Sequence, residues 1–163
     1  MANKSAFSAE EWDLLRQAPF MTGMVVVAAD PSGPIGLMQE SAAASGMVLD
    51  VIKGAETELM KSIGEDLKAS LQIPKLASHS QEAVRAAGLD IIRRASNAVR
   101  AKGSLEEGKE FRAWLNSLAQ KVAEASKEGG FLGFGGTLVS DAEKQSLNDI
   151  AAALSDASLS AGA

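Results

Sequence analysis

Residues 104–125, SLEEGKEFRAWLNSLAQKVAEA, carry a helix start signal followed by the apolar spacing of a helix. Ser104 and Glu107 form the pattern of a capping box, in which the Ser hydroxyl accepts a hydrogen bond from the N3 amide and the Glu carboxylate accepts one from the Ser amide. We therefore predict a helix that Ser104 opens and that ends before Gly129. Its apolar residues recur at steps of four and three, which places them on one face: Phe111, Leu115, Leu118, Val122 and Ala125.

Capping boxes also open the first and last predicted helices, at Ser8 and Ser140. Pro19 disfavours helical geometry in the residue before it, so the first helix is expected to end near Ala18. A second, nearly fully buried helix should begin at Pro19, because a proline at the first helical position loses no hydrogen bond. The turn residues 30–34 should end that second helix.

A long core helix is predicted from Ile35 to about Ser70, with Gly46 and Gly54 as candidate interruptions. Its apolar positions step by three or four: Val48, Ile52, Ala55, Leu59, Ile63, Leu67 and Leu71.

The next helix should be capped by Ser78 or Ser80 and end at Lys102-Gly103. Its expected buried face consists of Val84, Gly88, Ile91, Ala95 and Val99. The expected buried face of the last helix consists of Leu147, Ile150, Ala151 and Leu154.

The chain as a whole predicts a helical bundle. Alternation of apolar and polar residues over five or more positions, the pattern of a half-buried strand, is hard to find. A chain of 163 residues, with 46 % hydrophobic and 23 % charged residues, suits one compact globular core. We therefore expect an all-α, single-domain bundle of six or seven helices over residues 1–163, with an ordered core over 8–155 and a frayed tail over 156–163.

The composition excludes several classes of function. The chain has no cysteine, which rules out disulfides, thiolate zinc sites and thiol nucleophiles and is compatible with a cytoplasmic location. We see no signal peptide, and the longest apolar stretch, Ala18 to Ala29, is shorter than the roughly 20 residues that cross a bilayer. A net charge of −5 argues against charge-driven binding of nucleic acid. We therefore expect neither a membrane nor a nucleic-acid partner.

Charge is segregated along the chain. Residues 1–60 carry three Lys or Arg and eight Asp or Glu, whereas residues 68–102 carry seven and two. Within the basic segment, Arg85, Arg93 and Arg100 are spaced so that they lie on one side of a helix. This stripe is a solvated face, a face paired with the acidic outer segments, or a docking strip for an acidic partner or a phosphorylated ligand.

A glycine-hinged pattern occurs twice, as Gly33-Pro34-Ile35-Gly36 and as Gly130-Phe131-Leu132-Gly133. A shift of 97 residues superposes the two copies and the apolar residues before them. The pattern is compatible with two pseudo-repeated helix-loop-helix units, whose loops would be related by an approximate two-fold axis.

The stretch Ala125 to Leu147 resembles the helix-loop-helix unit of the tellurite-resistance, TerB-like helical family, and Ala28 to Glu40 resembles it more faintly. The resemblance implies an all-helical domain whose acidic loops bind a divalent cation. The implied metal ligands are Asp30, Glu40, Glu128 and Glu143. The chain departs from the family pattern: Pro follows Asp30, the second loop carries an insertion at 130–137, and Glu128 stands where the family has Asp. Ordinary helix caps are the alternative explanation of these acids.

The second glycine-rich loop contains Phe131, Leu132 and Phe134, which are costly to leave in water. Either the loop folds back onto its own domain or these residues form an interface with a partner. A nucleotide site is not indicated, because no strand precedes the loop and no Gly-Lys-Ser/Thr follows it.

Catalysis has little support in the sequence. The single histidine, His79, lies in a Ser-rich helix start, where an exposed polar role is expected, and no catalytic constellation is recognisable. Two functions therefore remain. The first is a small bacterial-type interaction protein without catalytic activity or cofactor, which forms a homo-oligomer or binds a protein partner. The alternative is a TerB-like domain that binds a divalent cation or a small ligand.

Overall fold

The structure, a computed structural model, describes residues 2–29, 53–70, 74–128 and 140–155, together with Gly46. Within these ranges the chain is helical and contains no strand, which confirms the all-α prediction for this part. The five α-helices found there do not confirm the predicted count of six or seven, and residues 30–45 and 156–163 lie outside the described ranges. After a short 3-10 helix (Lys4–Ala6), the helices are α1 (Ala9–Val27), α2 (Glu58–Ala69), α3 (Gln81–Lys102), α4 (Leu105–Glu128) and α5 (Asp141–Ser155).

The helices begin where their capping residues predict. In all three predicted capping boxes, the Ser hydroxyl accepts from the Glu amide and the Glu carboxylate accepts from the Ser amide. The two distances are 3.1 and 2.7 Å for Ser8 and Glu11, 3.2 and 2.7 Å for Ser104 and Glu107, and 3.2 and 2.8 Å for Ser140 and Glu143.

α1 continues through Pro19, so the prediction that two helices meet at this residue is wrong. An interior proline lacks the N–H that would donate to the carbonyl four residues earlier and costs about 3 kcal/mol. Every residue from 18 to 26 is buried, however, as predicted for the segment after the proline. Each large apolar side chain so buried contributes about 1.5–3 kcal/mol, which outweighs the cost of the proline.

α2 is the described part of the predicted core helix. Residues 53–57 are not helical, and Gly54, one of the two candidate interruptions, lies in that turn. Thr57 caps α2, and the carboxylate of Glu110 in α4 accepts from the amides of Glu56 at 2.6 Å and of Thr57 at 3.0 Å. Long-range capping therefore fixes the start of α2 against α4. The predicted core residues Leu59, Ile63 and Leu67 are buried.

α3 packs most closely along α1. A Cβ atom built on Gly88 would lie well within 3.0 Å of Val25 Cγ2 and 3.4 Å from the Met21 carbonyl oxygen, so this crossing needs a glycine. Ser80 caps the helix, as one of the two predicted candidates. Ile92 is fully buried in place of the predicted Ile91, which is half-buried.

The N-terminal segment is held to the bundle by polar contacts, of which the one between Ala2 and Glu107 is buried. The amide of Ala2 donates to both carboxylate oxygens of Glu107, at 2.9 and 3.1 Å, and Phe7 is buried. Asp66 of α2 accepts from Lys4 Nζ at 2.7 Å and from the indole Nε1 of Trp12 at 2.8 Å. These contacts close the side of the bundle formed by α1, α2 and α4. Among the described helices, none has the length and apolar character needed to cross a bilayer.

Candidate functional site

Only one of the four predicted metal ligands has a described side chain. Asp30 and Glu40 lie outside the described residues, and Glu128 is the last residue of α4, with its side chain also outside them. Glu143 is 7 % exposed, and its carboxylate accepts from the Ser140 amide in the capping box of α5. Within the described ranges no three His, Cys, Asp or Glu side chains are placed to hold a metal ion. The metal hypothesis therefore stays a prediction.

The predicted interface residues Phe131, Leu132 and Phe134 lie outside the described residues, as do both glycine-hinged loops. The proposed repeat and its two-fold axis also stay predictions. His79 is exposed, as expected for a polar residue near a helix start.

A groove open to solvent runs between α3 and α5 and contains two adjacent cavities. Their volumes are about 380 Å³ and about 520 Å³. Glu82 and Arg85 of α3 line both cavities, so the two adjoin along one groove. The walls of the smaller cavity are completed by Ala86, Leu89 and Arg93 of α3 and by Asp149, Ala152 and Ala153 of α5.

Helical periodicity places these groups on facing sides of the two helices. Arg85, Leu89 and Arg93 follow one another at intervals of four residues, which sets them in a row with steps of about 6 Å along α3. On α5, Asp149 shares a face with residues three and four positions later, Ala152 and Ala153. The α3 wall is therefore charged at both ends and apolar between them.

The Arg85 guanidinium and the Asp149 carboxylate form an ion pair across the groove, where the two cavities meet. The Arg85 side chain is 45 % exposed and that of Asp149 is 22 % exposed. Burial raises the pKa of Asp149, but hydrogen bonds from Gln145, at 2.9 Å, and from Arg85 outweigh it and hold the pKa below its ordinary value. Asp149 is therefore ionised at neutral pH and compensates Arg85.

Other basic groups of α3 pair with the acidic N-terminal segment. Arg94 contacts Glu10 at 2.6 Å, and Lys102 contacts Glu11 at 2.5 Å. Neither Arg94 nor Lys102 belongs to the predicted stripe, whose members have different partners. Arg85 pairs with Asp149 of the acidic C-terminal segment, and Arg93 lies 3.9 Å from Asp90 on its own helix. Arg85 and Arg93 line the groove, whereas Arg100 donates to Asn97 on its own helix, at 3.1 Å.

The sequence predicted two of the groove's arginines but missed its α5 wall. Arg85 and Asp149 are 64 residues apart, and no local pattern joins them. The expected buried face of α5 included Ala151, which is exposed, in place of Ala153, which is buried. The prediction chose the wrong one of three consecutive alanines, and for this reason it did not identify the face of α5 that lines the groove.

Comparison of the chain with protein-family models, with curated proteins and with solved structures finds no match. The likeness to TerB-like proteins therefore stays a resemblance of short motifs.

Proposed function

We propose that this chain is a protein-interaction module without catalytic activity, and that the groove between α3 and α5 is its docking surface. The observation that supports this function is the row of Arg85, Leu89 and Arg93 along an open groove. Apolar contact supplies affinity in such grooves, and charged groups at the rim supply specificity and speed of association.

The shape of the groove favours a segment of polypeptide as its occupant. Both cavities are open to solvent and lie end to end, whereas pockets for small ligands bury most of the ligand's surface. A row of side chains at four-residue intervals is suited to a helix lying beside α3, because helix-in-groove recognition uses anchors with the same spacing. The bound segment would thus pack as a third helix against α3 and α5.

Selection from a library of displayed peptides of about 16 residues, long enough to span about 24 Å as a helix, tests this proposal. Selected peptides are then measured against Ala152→Trp, which places a large ring in the groove from an exposed position of α5. Ala113→Trp is the matched control, because Ala113 is an exposed alanine of α4. We expect Ala152→Trp to weaken binding at least about tenfold and Ala113→Trp to leave it unchanged.

Failure of the proposed function would have a clear form. If no peptide is enriched, or if enriched peptides bind the two tryptophan variants equally well, the groove is not a docking surface. Thermal unfolding of both variants, followed by circular dichroism, shows that a loss of binding does not reflect a loss of folding.

A further inference from the structure

We infer that Glu107 is a binding site for a free amino terminus at Ala2. When the peptide bond between Met1 and Ala2 is hydrolysed, the α-ammonium of Ala2 binds both oxygens of the Glu107 carboxylate. In this hydrolysis, which an aminopeptidase catalyses, the bond between the Met1 carbonyl carbon and the Ala2 nitrogen breaks. Water supplies a hydroxyl group to the carbon, and the nitrogen gains the remaining proton of the water and the proton that the new carboxyl group releases.

Glu107 differs from Glu11, which holds the same capping-box position in α1. Glu11 forms an ion pair with Lys102. Glu107 is 1 % exposed, and no Lys or Arg among the described residues forms an ion pair with it. A buried carboxylate is costly unless hydrogen bonds or a positive charge compensate it. The compensation at Glu107 therefore has to come from the segment that covers it, which begins with Ala2.

The Ala2 nitrogen lies where an ammonium group would make good contacts. It is 2.9 Å from Oε1 and 3.1 Å from Oε2 of Glu107. An amide has one hydrogen, which cannot point at both oxygens with good geometry, whereas an ammonium has three and can donate to each of them. The Ser104 amide also donates to Oε2, at 2.7 Å. The site thus fits a charged amino terminus better than the amide that is present while Met1 is attached.

The side chain of Ala2 also suits this processing. Ala2 is 5 % exposed and belongs to the hydrophobic core cluster, so the site accepts a small apolar residue. Methionine aminopeptidases remove Met before a small residue, and alanine is one. Because the Ala2 nitrogen is buried once the segment has docked, the cleavage has to precede docking.

The electrostatics of the site favour the ammonium. Burial raises the pKa of Glu107, but hydrogen bonds from the Ser104 and Ala2 amides and the positive charge of the amino terminus outweigh it and keep the pKa below its ordinary value of 4.5. Glu107 is therefore charged at neutral pH. Removal of Met1 moves the terminal positive charge onto the nitrogen that contacts the carboxylate, and opposite charges attract more strongly when they are closer.

Urea denaturation of two forms of the full chain tests the inference. In one form, a protease removes a fusion partner and leaves Ala2 as the first residue; in the other, a Gly-Ser extension precedes Ala2 and keeps its nitrogen as an amide. Each form is made with and without Glu107→Gln, which preserves the capping box and removes the charge. We expect Glu107→Gln to increase the unfolding equilibrium constant about tenfold more in the first form than in the second, because hydrogen bonds between charged groups are the stronger ones.

Glu143→Gln is the matched control, because Glu143 holds the same capping-box position in α5 and is also buried. It should destabilise the two forms equally. An equal effect of Glu107→Gln in the two forms would show that the Ala2 ammonium does not bind this carboxylate, and would overturn the inference.

Acylation of the amino terminus is a second measurement, made on the folded protein. In the form that begins at Ala2, the terminus should react with an N-hydroxysuccinimide ester at least about tenfold more slowly than it does after Glu107→Gln, since only an unprotonated, accessible amine reacts. Glu143→Gln should leave the slow rate unchanged. Mass spectrometry of the N-terminal peptide follows the reaction, and equal rates with and without Glu107→Gln would contradict the inference.

The chain produced in cells without a tag supplies the last test. Its intact mass should lack one methionine residue, and its N-terminal peptide should begin with an unmodified Ala2. Retention of Met1 or acetylation of Ala2 would overturn the inference, because either leaves an amide at the site. None of these measurements involves the groove between α3 and α5, so their outcome is independent of the proposed function.

Discussion

The two faces of α3 are packed in opposite ways. Toward α1, the helix approaches so closely that Gly88 has no room for a Cβ atom against Val25. Toward α5, the same helix leaves an open groove that is crossed by an ion pair. The close face stabilises the bundle, and the open face is, among the described residues, the docking surface that we propose. Substitutions on the first should therefore change stability, and substitutions on the second should change binding.

The largest effect on stability is expected from Gly88→Ala. The added methyl group would overlap Val25 Cγ2, whose β-branched side chain has few alternative rotamers in a helix. We expect the free energy of unfolding to fall by about 1–3 kcal/mol, the usual cost of overpacking a core, as measured by urea denaturation.

Gly108→Ala in α4 is the matched control for this variant. A Cβ atom at Gly108 would meet only Arg112 Nη1 within 4 Å, at 3.7 Å. Alanine stabilises a helix interior relative to glycine by about 0.5–1 kcal/mol, so this change should increase stability. If Gly88→Ala also increases stability, as Gly108→Ala should, α3 and α1 are not packed as closely as the structure indicates.

A smaller effect is expected at the contact that joins α3 to the end of α5. Ser96 is buried, and its hydroxyl donates to the Leu154 carbonyl at 3.3 Å, in the last turn of α5. Ser96→Ala leaves that carbonyl without this donor and should cost about 0.5–1.5 kcal/mol in urea denaturation. Ser117→Ala, at an exposed position of α4, should change stability by less than about 0.5 kcal/mol.

A difference of less than about 0.5 kcal/mol between the two serine variants would show that the Ser96 contact does not hold α5 to α3.

The close face of α3 was easier to predict from sequence than the open one. Four of the five residues predicted to be buried on α3 are buried, because a single helix shows its apolar face as a local period. The helix starts at Ser8, Ser104 and Ser140 were also predictable, since a capping box is complete within four residues.

The two features that the sequence did not predict, the continuity of α1 and the second wall of the groove, depend on packing between helices. The continuity of α1 through Pro19 depends on burial by other helices, whereas the cost of the proline is local. The groove needs two walls from helices far apart in the chain, so the positions of Asp149 and Ala153 could not follow from the pattern of either helix alone.

The ion pair across the groove should contribute little to stability, and its contribution should depend on pH. For Asp149→Asn we expect a loss of roughly 0–1 kcal/mol at neutral pH, as for other partly exposed pairs. Because the pKa of Asp149 is lower in the folded chain than its ordinary value of 3.8, the unfolded state binds more protons in acid. The contribution is complete above 3.8 and is lost as the pH falls through the folded pKa.

The measurement is the difference in unfolding free energy between wild type and Asp149→Asn as a function of pH. Glu11, Asp66 and Glu107 also have lowered pKa values, so acid destabilises both proteins and only their difference reports on Asp149. We expect this difference to shrink below pH 3.8. A difference that grows in acid would mean that Arg85 does not stabilise the charged form of Asp149.

The smallest effect on stability is expected from Ala152→Trp, the variant that should affect binding strongly. Ala152 is exposed on the groove wall, so a tryptophan there has open space to occupy and displaces no core residue. Its free energy of unfolding should lie within about 0.5 kcal/mol of the wild-type value, the range of surface substitutions. A loss above about 1 kcal/mol would show that the groove is already filled, because only a clash with packed neighbours costs that much at an exposed helix position. Such a result would remove the contrast between the two faces of α3, and a groove that is filled within the chain itself has no room for a partner.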